Sequence, residues 1–315
     1  GDVYKRQTLP FFKRVGAFYS CEISTTLFTT PQTVCFLIET FMLPKLLPKK
    51  LSEYFNATYV ASSRYERNNI NKCNNSRIVP SYKHDYSSTL ISLLDKKFTP
   101  LHHSFMHAGR DLCESGRWRG CDARLLVNNE DIGISYVNFW GIETCRGHWY
   151  SKLELKKTKR GLKAHVRKIK KLVAPRNSGL FIQGDNVVEL DVNGTFLNIY
   201  NQKTHRAIRL PYFNHALHTS GHPVLVNSNR LVLWTHYHES YNSKYKYGYN
   251  YRHILLSLNL SFDILDISSP FCIHQRCEDI EFFMNSFWNQ KQLYGVAGIN
   301  DCYGEVFKMD PDYNP

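Results

Sequence analysis

Alternation of apolar and polar positions divides this chain into short strands joined by Asn- and Asp-rich turns. Arg124 to Val127 runs into Asn128-Asn129-Glu130-Asp131, and Ile132 to Val137 returns. Val187 to Val192 turns at Asn193-Gly194 and comes back as Thr195 to Tyr200. Pro223 to Val226 turns at Asn227-Ser228-Asn229 and returns as Leu231 to Tyr237. Ile280 to Trp288 turns at Asn289 to Gln292, and Leu293 to Gly298 follows. Asn, Asp and Gly tolerate the positive φ that tight hairpin turns demand, so each unit predicts a β-hairpin. The first and third gaps between turns are nearly twice the second, which leaves room for a further hairpin in each. Antiparallel modules repeating in this way predict an all-β propeller, with polar strand ends converging around an axis.

The N-terminal part is less regular. Residues 1–7 read as a sequencing-adaptor scar, and the native start, with any leader or anchor, is expected upstream. Residues 8–98 are expected to form the first blade, and residues 99–315 the remaining blades of a single domain. Leu51 to Tyr59 and Thr89 to Lys97 read as short helices or first-blade strands. Thr33 to Leu43 is apolar but short and contains Glu39, so it predicts a buried strand or helix and no membrane span. Helical periodicity, a Gly-rich phosphate loop and a Gly-x-Ser-x-Gly elbow are all missing from the sequence. Their absence argues against a nucleotide-binding α/β domain and a serine hydrolase.

Composition is that of a folded globular chain: 315 residues, 43% hydrophobic and 14% aromatic. The net charge of +13 is unevenly distributed. Ten Lys or Arg and one acid, Glu154, lie between Lys152 and Lys171. Leu153 and Leu155, then Leu162, Ala164 and Val166, alternate with polar residues on either side of Lys159-Arg160-Gly161. This pattern predicts a two-stranded ribbon with one apolar and one basic face. It reads as a solvated blade edge whose lysines discourage edge pairing, or as a surface facing phosphate, anionic glycan or membrane. No recognition signature for nucleic acid accompanies it, so a nucleic-acid partner is not expected. The nine cysteines lack the two-residue spacing of structural zinc sites, and no metal is expected. Sequons at Asn56, Asn74, Asn193 and Asn259 point toward the secretory pathway, although Asn-Gly at 193 is expected of a turn in any case.

Polar residues cluster where the hairpins open. Cys121-Asp122-Ala123-Arg124 opens the first, and Asn177-Ser178-Gly179-Leu180-Phe181 the second. Ser220-Gly221-His222-Pro223 opens the third and leads to Trp234-Thr235-His236, after which comes Tyr251-Arg252-His253. Cys277-Glu278-Asp279-Ile280-Glu281 opens the fourth, which ends at Tyr294-Gly295 and Asn300-Asp301. Asp122 and Arg124, two apart on a strand, are expected to share a face.

This order of motifs resembles the five-bladed β-propellers of the β-mannoside phosphorylase and β-mannosidase family, over roughly Asp111 to Asp310. Their Glu-Asp-Pro-Arg motif corresponds to Cys121-Asp122-Ala123-Arg124, which keeps the Asp and Arg but lacks the Glu and the Pro. Ser178 stands where a Trp would stack on sugar. The resemblance implies that Asp122 is a general acid, relaying its proton through a sugar hydroxyl. It implies substrate or phosphate contacts from Arg124, Asn177, His236, Tyr251 and His253, with Arg252 nearby. A hydrolase of this kind needs a second carboxylate to activate water, for which Glu278, Asp279, Glu281 and Asp301 are candidates. The partner implied is an oligosaccharide, with inorganic phosphate as co-substrate in a phosphorylase and no other cofactor. The lost Glu and Trp support the alternative of an inactive propeller that binds glycan or protein.

Overall fold

A computed structural model describes residues 13–18, 43–66, 87–108, 120–127, 130–138, 147–159, 161–175, 177–184, 186–201, 204–211, 215–240, 249–273, 281–299 and 303–309. The chain divides into two compact units. One comprises Gly1–Val15, Leu172–Ile299 and Val306–Pro315, and the other Gly16–Lys171 and Asn300–Glu305. The predicted segment Thr33 to Leu43 lies outside the described residues except at Leu43.

The first strand is β1 (Lys13–Phe18). Within the Gly16–Lys171 unit follow β2 (Leu43–Leu46), a helix α1 (Lys49–Phe55), β3 (Tyr59–Glu66), β4 (Ser87–Leu94) and β5 (Pro100–Ala108). Then come β6 (Gly120–Val127), β7 (Ile132–Asn138), β8 (Gly147–Thr158) and β9 (Gly161–Lys171). Leu51 to Tyr59 therefore resolves into the end of a helix and the start of a strand. Asn56, in the left-handed conformation with φ 53°, terminates α1 and returns its N–H to the Ser52 carbonyl. Thr89 lies in a strand that ends at Leu94.

These strands form one sheet in the order β2-β3-β4-β5-β9-β8-β7-β6. β5 pairs with β4, so the first meander runs past residue 98 to Ala108. One face of the sheet is apolar because alternate residues are: Val60, Ile91, Leu93, Leu125, Ile132, Ile134, Leu153, Leu155, Ala164 and Val166 share one core. The basic ribbon is the β8–β9 hairpin, closed at Thr158↔Gly161. It is not a blade edge. Met106 to Ala108 pair in parallel with Ala164 to Val166, and the Ala164 N–H donates to Ser104 Oγ at 3.1 Å. Lys163 and Arg167 do not prevent this, since pairing uses the backbone and both side chains are exposed.

The other unit supplies β10 (Gly179–Gln183), β11 (Asn186–Gly194), β12 (Phe196–Asn201), β13 (Thr204–Arg209), β14 (Leu217–Thr219) and β15 (Val224–Asn227). After these come β16 (Arg230–Ser240), β17 (Tyr249–Leu258), β18 (Ile264–Ile267), β19 (Glu281–Asn289), β20 (Gln292–Ile299) and β21 (Tyr303–Met309). One sheet runs β13-β12-β11-β14-β16-β17-β18, with β10 added to β11 and β15 to β16. A second runs β1-β21-β20-β19, so the first described strand completes the last sheet. All four predicted hairpins are present, as β6–β7, β11–β12, β15–β16 and β19–β20. The long gaps hold β8–β9 and β17–β18.

Two turns repeat a single design. After β4, Asp95 Oδ1 accepts the N–H groups of Lys97 (2.7 Å) and Thr99 (2.8 Å). Phe98 sits at φ 65° and stacks on Tyr59. After β17, Asn259 Oδ1 accepts from Ser261 and Asp263, both at 2.9 Å, and Phe262 sits at φ 64°. A bulky residue in that region is strained, so the Asx side chain and the burial of the Phe must hold it there. Asn259→Ala leaves two backbone donors without their acceptor and should cost about 1–2 kcal/mol in urea unfolding. An unchanged midpoint would show that Phe262 burial alone fixes the turn.

Candidate functional site

Strict alternation on β16 and β17 builds the densest polar cluster in the Leu172–Ile299 unit. Leu231, Leu233 and Tyr237 of β16 and Ile254, Leu256 and Leu258 of β17 enter the core with Val188, Leu190 and Val192 of β11. Trp234, His236 and His238, with Tyr251, His253 and Leu255, therefore line the opposite face. Register places His218 of β14 opposite His236, His236 opposite His253, and His238 opposite Tyr251. β19 packs against this face: Phe283 stacks on Trp234 at 3.4 Å between ring centroids, and Phe282 meets His236 edge-on at 4.9 Å.

His236 is buried, and its Nδ1 lies 2.8 Å from Ser220 Oγ. Its ring is 5.2 Å from Tyr251, 5.3 Å from His238 and 5.8 Å from His218. His218 and His238 are exposed and Tyr251 is half-buried, so the cluster opens to solvent on that side. Burial holds the His218 and His238 imidazoles below their ordinary pKa, with His218 adding to the effect on His238. His253 is wholly buried against Trp234 and Phe271, and burial, then Arg252, lowers its pKa to about 3. It is therefore neutral at pH 7. Neutral imidazoles beside Tyr and Phe rings offer a sugar both hydrogen bonds and a stacking surface.

Beside this cluster, the start of β10, the connection from β14 to β15 and β19 approach closely through glycine. A Cβ on Gly221 would strike the Met284 carbonyl oxygen, and Met284 is the extra residue of a bulge in β19. A Cβ on Gly179 would lie 2.7 Å from the Gly221 carbonyl oxygen. Ser178-Gly179 thus stands at the start of β10, and Ser220-Gly221 in the connection from β14 to β15. Next to Gly221, His222 Nδ1 accepts the Leu180 N–H at 2.9 Å, which fixes a neutral ring with its proton on Nε2. Asn177 precedes Ser178 with φ 76°, a conformation that Asn tolerates better than most residues. Trp288 of β19 donates its indole N–H to the Leu225 carbonyl at 2.8 Å.

In the Gly16–Lys171 unit, Asp122 and Ala123 stand opposite the single residue Tyr136, because the β6–β7 register shifts between Cys121 and Arg124. The expected sharing of a face by Asp122 and Arg124 assumed a regular strand, and this bulge removes that basis. Ala123 enters the core and its carbonyl accepts Ser62 Oγ at 2.8 Å, while Arg124 is buried opposite Ser135. The side chain of Asp122, and all of Glu278, Asp279 and Asp301, lie outside the described set.

His218 and His238 escaped the sequence reading, although the alternation His236-Tyr237-His238 already puts two imidazoles on one face. Glu189 and Asp191 of β11 escaped it as well. Both are buried, on the face opposite Val188 and Leu190. Glu189 Oε2 accepts the Ala174 N–H at 2.7 Å, and burial raises the Asp191 pKa to about 6. Acids alternating with Val and Leu normally mark a solvated face, so nothing in the sequence flagged their burial. Among the described residues no group of His, Cys, Asp or Glu is arranged to hold a metal ion. Cys272 is disulfide-bonded to a cysteine outside the described side chains.

No protein-family model matches the chain, and no curated protein matches it in sequence. Solved structures do match. A glycosyl hydrolase from Bacteroides ovatus superposes with a TM-score of 0.58 at 11% identity, over 99% of this chain and 98% of that one. A second match, at a TM-score of 0.55 and 11% identity, also covers 99% of this chain and 98% of the other. That structure comes from work on the GH130 family of mannoside phosphorylases and its glycoside hydrolases that target β-1,2-mannosidic linkages in Candida mannan. The fold is that of a β-propeller. At this identity the likeness is one of fold alone.

Two consequences can be measured. Gly221→Ala forces β19 and the β14–β15 connection apart and should cost about 1–3 kcal/mol in thermal unfolding; an unchanged Tm would mean that the strands yield freely. His253 binds its proton more weakly folded than unfolded, so its contribution is present above the ordinary histidine pKa. It is lost as pH falls from about 6.5 toward 3, at about 1.4 kcal/mol per unit. The Tm of the protein should therefore fall more steeply between pH 6.5 and 4 than that of His253→Gln. Parallel profiles would contradict the buried neutral imidazole.

Proposed function

We propose that this chain is a carbohydrate-active propeller that cleaves β-mannoside-like glycosidic bonds by phosphorolysis or hydrolysis. The observation that carries the reading is the near full-length likeness of fold to glycoside hydrolases, one of them from work on the GH130 family. The retained Asp122 and Arg124 add to it, as does the bulge on which Asp122 sits. Strands β2–β5, β6–β9, β10–β13, β15–β18 and β19–β21 with β1 group as meanders, which supports a count of five blades.

In this reading Asp122 protonates the departing oxygen through a sugar hydroxyl, and Arg124 binds substrate. Asn177, His236 and Tyr251 contact sugar, while His253, buried beneath, holds the row in place. With phosphate as co-substrate, the attacking oxygen comes from phosphate. With water, either Glu278 or Asp301 serves as base. A second reading keeps the fold without turnover: the solvent-open rings of His218, His238 and Tyr251 suit glycan binding, and the motif has lost its Glu and Pro.

Purified protein incubated with β-1,2-manno-oligosaccharides, with and without inorganic phosphate, separates these readings. Sugar phosphate formed only with phosphate identifies phosphorolysis; free sugar without it identifies hydrolysis. Asp122→Asn keeps the shape of the side chain but removes its proton, so turnover should drop about 10²- to 10⁴-fold at unchanged Tm. Oligosaccharide binding without turnover would replace catalysis by recognition. Full activity in Asp122→Asn would assign the acid elsewhere.

A further inference from the structure

The solvent face of the β8–β9 ribbon carries charge in a pattern that costs stability. Register sets Lys156 opposite Lys163 and Lys152 opposite Arg167. Like charges directly opposite across strands repel. Between the two rows lies Glu154, opposite His165, which in turn stands opposite His107 of β5. Glu154 Oε2 meets Arg167 at 3.1 Å and Lys156 at 4.0 Å, and Asp131 meets Lys152 at 2.6 Å. These two acids do not neutralise the surface, because Lys157, Lys159, Lys163 and Lys171 are exposed around them. The Lys156 and Arg167 side chains are 61% and 54% exposed. Crowded cations leave their mark on His107, whose pKa is held down by burial first, then by Lys163 and His165.

We propose that this sheet face is a docking surface for a linear anionic polysaccharide, one bearing sulfate or carboxylate groups along its length. The two like-charged rows are four residues apart, about 13 Å along the strands, with neighbouring strands about 4.8 Å apart. A single anion could meet only one row, whereas an extended polyanion meets both and relieves the repulsion in each. A bilayer fits less well. Surfaces that adsorb to lipid present exposed Trp, Phe or Leu among their cations, whereas on this face Tyr150 and Phe105 are half-buried and the exposed side chains are Lys156, Lys163, Arg167 and His107. The docking surface is independent of the catalytic reading, since it uses none of the residues assigned to turnover.

A sulfated heparin decasaccharide is a suitable probe, titrated calorimetrically into the full chain. Binding is expected at about 50 mM salt and should weaken steeply toward about 200 mM, as counterion release requires. The triple variant Lys156→Gln, Lys163→Gln, Arg167→Gln should bind about tenfold more weakly or worse, a loss of at least about 1.4 kcal/mol. Its Tm should match or exceed that of the unaltered protein, since repulsion is removed. Lys49→Gln with Lys50→Gln, which removes exposed cations on α1, should change binding less than about twofold. The proposal is overturned if the decasaccharide does not bind at the lower salt, or if the triple variant binds it as tightly as the unaltered chain. It is equally overturned if phosphatidylserine vesicles or duplex DNA bind this face more tightly than the decasaccharide does.

Discussion

The arrangement of the Leu172–Ile299 unit rests on two glycines that let three strand segments approach without side chains between them. At Gly221 the connection from β14 to β15 lies against the Met284 carbonyl, and at Gly179 the start of β10 lies against the Gly221 carbonyl. Any larger residue would drive these segments apart, because interiors at this density have no slack to absorb a methyl group. The bulge at Met284 belongs to the same constraint: an extra residue re-aims the backbone where β14–β15 must pass. Once the inner strands are held this closely, Ser220 reaches His236, His222 receives the Leu180 N–H, and Trp234 stacks on Phe283. Alternation on β16 and β17 sets the histidine wall, and glycine placement lets its neighbours close on it.

That wall is costly to bury, and its chemistry reflects the cost. A charged imidazole under Trp234 and Phe271 would lose its hydration, so His253 stays neutral through the physiological range. His222 is fixed in one tautomer by a backbone donor, and Thr219 and Thr235 satisfy the backbone around it. Glu189 and Asp191 follow the same logic with the opposite sign, since burial pushes the Asp191 carboxyl up to about 6. Groups whose proton affinity is displaced in this way recur at functional sites, although burial displaces Lys45 and Tyr136 of the other unit as well.

Much of the fold was legible because turn chemistry is local. Asn193-Gly194 and the Asn-rich tetrads located four hairpins, since few residues other than Asn, Asp and Gly take the backbone angles such turns need. The Asp95–Phe98 and Asn259–Phe262 turns went unread because their defining residue is a Phe at positive φ, which propensity argues against. Pairing of β9 with β5 was invisible for a different reason: two strands about sixty residues apart leave no mark on local pattern. The bulge at Asp122-Ala123 escaped as well. Alternation predicts faces only while the register holds, and one inserted residue shifts every side chain before it. His236, Tyr251 and His253, named separately as substrate contacts, stand on one sheet face by the register of β16 and β17, whereas Glu278 and Asp301 fall outside the described residues.

Arg124 is a costly residue to bury. A guanidinium taken out of water loses several kcal/mol of hydration, which ion pairing and hydrogen bonds only partly restore. A hydrophobic residue opposite Ser135 would serve a purely structural strand at least as well. Arg124 is nonetheless buried there, two residues after Asp122 and directly after a bulge. In sequence, the Asp and the Arg of the motif are kept while the Glu and the Pro are lost. The burial of Arg124 is a cost that the fold bears in the Gly16–Lys171 unit, whereas in the other unit the rings of His218, His238 and Tyr251 stay open to solvent.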